Sequence, residues 1–61
     1  MNLVRIYRVL AGHTQIELAK LTGIEQGTLS KIEKSRTEAK PEQRKKLAEA
    51  LNQSVKVIFP S

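Results

Sequence analysis

Between His13 and Glu33 the chain reads HTQIELAKLTGIEQGTLSKIE, two short apolar runs at helical spacing with Thr22-Gly23 between them. That pattern restricts this part of the chain to two helices meeting at a sharp turn. Thr14-Gln15-Ile16-Glu17 has the spacing of a capping box, in which the Thr14 hydroxyl accepts from the Glu17 amide and the Glu17 carboxylate reaches back to the Thr14 amide. A helix is expected to start there and run through Leu18, Ala19 and Leu21. Gly23 can take the left-handed conformation that ends it. From Gln26 to Lys34, a rotation of about 100° per residue directs Leu29 and Ile32 inward, and Gln26, Gly27, Ser30, Lys31 and Lys34 outward.

The flanking segments supply the rest of a small core. Leu3, Val4, Ile6, Tyr7, Leu10 and Ala11 predict a first helix that stops near Gly12. Arg8 falls on the Val4, Tyr7 and Ala11 face, where a lone guanidinium costs too much to bury. It either extends to solvent along its stem or meets a carboxylate. Glu33 borders the inner face made by Leu29 and Ile32 and is the expected partner, because the other candidate, Glu17, is occupied by the capping box. Pro41 suits the first turn of a fourth helix that carries Leu47, Ala48 and Leu51 and stops around Asn52. The stretch from Lys34 to Lys40 has no apolar period and is expected to be a loop. In the tail, Val55, Ile58 and Phe59 fit a helical turn capped by Ser54, whereas Val55, Val57 and Phe59 alternate as in a strand. The short helix is the expectation.

A chain of 61 residues accommodates one domain, here residues 1–61, and buries only about 60% of the surface its unfolded form exposes. It contains no cysteine, so disulfides and thiolate metal sites are excluded and a reducing cytoplasm fits. No apolar run approaches the ~20 residues needed to cross a bilayer, and no signal-peptide core is evident. The chain is expected to be soluble. With no aspartate and a single histidine, it cannot assemble a Ser-His-Asp triad or a conventional zinc hydrolase site. His13 is expected to fill the turn between the first two helices. Neither enzymatic activity, a metal, a cofactor nor a small-molecule ligand is anticipated.

Charge points to an anionic partner. The formal net charge is +5, and residues 31–46 hold seven cations against three acids, a bias that also serves simply to keep a small surface solvated. Geometry favours nucleic acid. Two short helices with a glycine turn, the second presenting amide and ammonium groups on a rigid cylinder, form a helix-turn-helix layout suited to the major groove.

The segment Gly12-His13-Thr14-Gln15 followed by IELAKLTGIEQGTLSKIEK, with Ala19 and Gly23 correctly spaced, resembles the Cro/phage-repressor type of helix-turn-helix domain. LAEALNQSVKVIF is similar to that family's usual ending, so the resemblance covers nearly the whole chain. It implies an all-α, lambda-repressor-like fold, a compact bundle of about five short helices. It also implies that Gln15 holds a phosphate from the start of helix two, that Gln26, Gly27, Thr28 and Lys31 face bases or adjoining backbone, and that Arg8 and Glu33 form an internal salt bridge. Three positions depart from the family pattern. Glu25 replaces the usual serine or threonine at the start of helix three, Gly27 stands where a longer side chain often reads a base, and Ser35 takes the usual post-helix glycine position. The basic KPEQRKK also opens helix four differently.

The resulting expectation is a sequence-specific double-stranded DNA-binding transcriptional regulator, a repressor, reading the major groove with helix three (about 25–34). Gln15, the helix-two amides, Lys34, Arg36 and Lys40 would hold phosphates. Gln26 and Lys31 would read base edges, Thr28 would touch a thymine methyl or a phosphate, and Thr14 and Ser30 complete the DNA-facing set. A homodimer is expected through Val55, Val57, Ile58 and Phe59, with Val55, Ile58 and Phe59 alternatively closing the monomer's core. The competing function is a protein-interaction module of the same fold that acts on another regulator.

Overall fold

The computed structural model describes residues 1–60, which form five helices and no strand. They are α1 (Val4–Leu10), α2 (Gln15–Thr22), α3 (Gln26–Glu33), α4 (Pro41–Ala50) and α5 (Val55–Ile58). The fold is the all-α, lambda-repressor-like helix-turn-helix bundle that the sequence implies.

The helix ends follow the local chemistry. Thr14 and Glu17 complete the capping box, with Thr14 Oγ1 accepting from the Glu17 amide at 3.1 Å and Glu17 Oε1 accepting from the Thr14 amide at 2.8 Å. Gly23 ends α2 at φ 72°. At the end of α3, Ser35 takes φ 56° and its amide donates to the Ile32 carbonyl, while the Arg36 amide donates to that of Lys31. This is the hydrogen-bond pattern usually built on glycine, achieved here with a serine. Asn52 repeats it after α4 at φ 56°, with Asn52 and Gln53 donating to Glu49 and Ala48. The tail is helical: Ser54 Oγ accepts from the Val57 amide at 3.3 Å.

Val4, Leu18, Leu29, Ile32, Leu47 and Ile58 are fully buried, one or two from each helix. Burying each stabilises the bundle by about 1.5–3 kcal/mol relative to exposure. Ala39, in the loop before α4, also enters the core. Several apolar residues of the helical pattern stay outside: Ile6, Val9 and Leu10 on α1, and Ile16 and Leu21 on α2. Ala11 is likewise exposed, since α1 is too short and too peripheral to bury more than its Val4 and Tyr7 face.

Polar groups lock the helices in place. Thr22 is buried at the α2–α3 turn, its Oγ1 donating to the Leu18 carbonyl at 2.8 Å and accepting from the Ile24 amide at 3.3 Å. Asn2 joins α1 to the bundle, with Oδ1 accepting from the Val4 amide and Nδ2 donating to the Ile32 carbonyl. The Leu3 amide donates to the Ile58 carbonyl at 2.8 Å, which ties the first helix to the last.

Candidate nucleic-acid interface

Helix α3 presents two chemically different faces. Leu29 and Ile32 are fully buried, whereas Gln26, Gly27, Lys31 and Lys34 are exposed and Thr28 and Ser30 half-buried. The outward set is therefore polar, cationic and free of large apolar side chains. Gln26 and Gly27 occupy the first turn, where the helix also carries the positive end of its dipole. Glu25 caps this turn without a side-chain hydrogen bond. Its Oε1 would stand 3.4 Å from a Cβ at Gly27, an ordinary contact with a flexible side chain, so space does not require a glycine there.

A salt bridge sets how α2 and α3 stand against α1. Arg8 Nε donates to Glu33 Oε2 at 2.8 Å and Arg8 Nη2 to Glu33 Oε1 at 3.3 Å. Arg8 Nη1 donates to the His13 carbonyl at 2.9 Å, and Gln15 Nε2 donates to Glu33 Oε1 at 3.3 Å. One guanidinium thus joins α1, the turn before α2, and the end of α3. Glu17 is absorbed by the capping box, as its place there requires. The Thr14 amide, and then the Thr14 hydroxyl, hold the Glu17 carboxyl below the ordinary glutamate value.

Open clefts lie on either side of α3. The first lies between α1, the start of α2 and the end of α3, and is lined by Arg5, Arg8, Gln15, Ser30, Glu33 and Lys34. The second runs from the α2–α3 turn to the start of α4, where Thr28 meets Lys40, Gln43 and Lys46 beside the acids Glu25 and Glu42. Both clefts offer hydrogen-bond donors next to the exposed face of α3. Thr14 and Arg36 are exposed outside these clefts, and Gln15 is half-buried by its bond to Glu33.

The tail residues separate into two environments. Ile58 is 0% exposed and Phe59 packs on the core beneath Arg44, whose guanidinium carbon lies 5.2 Å from the ring centroid. Val55 and Val57 are each 37% exposed. Ile58 therefore belongs to the monomer's interior and presents no surface to a second chain.

Sequence reasoning overlooked Arg5, Gln43 and Lys46 as residues of the two clefts, and Asn2 and Thr22 as braces. Thr22 could have been suspected from a hydroxyl residue directly before a turn glycine; Arg5 carries no local signal beyond its charge. Among the described residues there is no cluster of three or more histidine, cysteine or acidic side chains fit for a metal, and no helix long and apolar enough to cross a membrane.

A pair of helices locked at a glycine turn, the second with a polar outer face between cation-bearing clefts, defines a helix-turn-helix module. A family model described as helix-turn-helix matches residues 4–58, and the chain belongs to that family, the Cro/C1 type of DNA-binding regulator. No curated protein and no solved structure matches the chain.

Proposed function

We propose that the chain is a sequence-specific, double-stranded DNA-binding repressor, cytoplasmic, homodimeric on its operator and working without a cofactor, with residues 1–61 forming a single helix-turn-helix DNA-binding domain. The observation that carries this reading is the division of α3: Leu29 and Ile32 are fully buried while Gln26 and Lys31 stand exposed on the opposite side. With α3 in the major groove, Gln26 pairs with the edge of adenine and Lys31 reaches the acceptors of guanine. Thr28 contacts a thymine methyl or a phosphate. Gln15, Lys34, Arg36 and Lys40 hold phosphates to either side, with Thr14 and Ser30 at the margin, and fix register without themselves reading sequence. Val55 and Val57 supply the two-fold contact, and occupancy of the operator obstructs the polymerase.

Selection of bound duplexes from a random pool tests this reading. A common motif in two half-sites about one helical turn apart is expected; bound duplexes with no shared sequence would overturn it. The protein-interaction reading has one observation in its favour, the exposed apolar stripe of Ile6, Val9 and Leu10 on α1. It predicts that no duplex is bound tightly.

A further inference from the structure

We infer that α1 takes part in DNA binding through Arg5, which with Lys34, Gln15 and Ser30 forms a site for one backbone phosphodiester; the inference rests on the DNA-binding reading above. The cleft between α1 and the end of α3 is lined by two cations besides Arg8, one amide side chain and one hydroxyl. Its interior charges cancel. Arg8 and Glu33 are bonded to each other through two nitrogens and two oxygens, the third Arg8 nitrogen donates to the His13 carbonyl, and Glu33 also receives the Gln15 amide. Glu33 is the one carboxylate lining the cleft among the described residues, and it is spent.

Arg5 and Lys34 are left on the rim. Both are exposed, and among the described residues neither makes an ion pair. Arg5 precedes Arg8 by three residues, so it lies on the same side of α1 as the cleft, and α1 itself contains no acid that could engage it. Gln15 has spent one amide hydrogen on Glu33 and keeps a second. What converges on the cleft is thus two positive charges, an amide N–H and a hydroxyl, a set of donors suited to a singly charged phosphodiester. The planar fork of an arginine can hold two of its oxygens together. Because Ser30 lies in α3 and Lys34 caps its C-terminus, a strand whose bases meet Gln26 and Lys31 runs its backbone past this cleft. A purely solvated Arg5 would contribute nothing that depends on DNA.

The experiment titrates the full chain and its Arg5→Ala and Arg5→Lys variants against the selected operator and a scrambled duplex over a series of salt concentrations. Arg5→Ala should weaken binding to both duplexes alike, by about three- to tenfold, and make the log–log salt slope shallower by up to about one, because Lys34 still neutralises part of the shared phosphate's charge. Arg5→Lys should keep the slope and recover part of the affinity. Unchanged affinity and slope for Arg5→Ala would overturn the site while leaving the DNA-binding reading intact, and so would a loss confined to the operator. A wild-type chain that binds neither duplex would overturn the DNA-binding reading itself and this site with it. Arg5 is exposed, and thermal melts of each variant verify that the fold is unchanged.

Discussion

Arg8 Nε lies 2.8 Å from Glu33 Oε2, with the two side chains only 13% and 5% exposed. The pair bridges the first and third helices, and its carboxylate also fixes the Gln15 amide. Helix three therefore owes its angle to charges as well as to Leu29 and Ile32. Breaking a buried pair strands one charge, whereas replacing both partners with apolar side chains removes the cost of burying either.

Arg8→Met alone is accordingly expected to destabilise the domain by about 3 kcal/mol, and Arg8→Met with Glu33→Leu to recover much of that loss. Recovery will be incomplete, because the His13 carbonyl and the Gln15 amide also lose partners. Urea melts of the two single variants and the double variant measure the coupling. Strictly additive losses would show that the pair contributes no mutual stabilisation.

Ser35 stands at φ 56° in the turn after α3, a conformation that costs a residue with a Cβ and costs glycine little. Ser35→Gly should raise stability by about 0.5–1 kcal/mol, the gain being reduced by the greater freedom of glycine in the unfolded chain. Asn52→Gly, at the same φ, should gain less, since asparagine tolerates this region. A destabilised Ser35→Gly chain in thermal melts would indicate that the serine makes a compensating contact.

These turns show where local chemistry was legible in the sequence and where it was not. The capping box at Thr14, the break at Gly23 and the inward pair Leu29 and Ile32 depend on spacing over three to five residues, and spacing is visible in a string of letters. The Arg8–Glu33 pair was legible because Arg8 interrupts one apolar face, Glu33 borders another, and the alternative partner Glu17 was taken by the capping box. Val55–Phe59 fitted a strand as well as the expected helical turn because it is so short; the structure resolves it as helix through Ser54 as cap and Ile58 as core. Ala39, Asn2 and Arg5 gave no warning. Ala39 is a lone small residue in a polar loop, Asn2 reaches across 30 positions to the Ile32 carbonyl, and Arg5 gains meaning only from a cleft that two other helices complete.

Acid should weaken the start of α2. The Glu17 carboxyl lies below the ordinary glutamate value because the Thr14 amide donates to it. A carboxyl lowered in the native state contributes stability that is complete above its unfolded value and is lost as pH falls through its native value. On titration from about pH 7 to about pH 3, the wild type should therefore lose more of its melting temperature than Glu17→Gln, which keeps an acceptor but carries no charge. Parallel profiles would mean that this carboxylate adds nothing to the fold.

Assembly is expected to depend on Val55 and Val57, both partly exposed on a helix whose Ile58 is committed to the core. Replacing the two valines with serine should leave the monomer folded and convert a two-protomer footprint into weaker, single half-site binding. Sedimentation of the wild type with operator should give two protomers per duplex. One protomer per footprint in the wild type would remove the dimer from the account.

The most direct measurement compares four variants of the DNA-facing surface on the selected operator and on scrambled duplex, each titrated at several salt concentrations. Gln26→Ala and Lys31→Ala should cost about 1–3 kcal/mol on the operator, less on scrambled DNA, and relax the preference at one or two base pairs. Lys34→Ala and Arg36→Ala should weaken both duplexes equally and make the salt slope shallower by about one for each phosphate the variant no longer neutralises. That split between reading and holding is the result predicted for α3 in the major groove. Equal, sequence-independent losses in all four folded variants would make α3 a basic surface and nothing more, and no loss in any of them would contradict DNA binding by this face altogether.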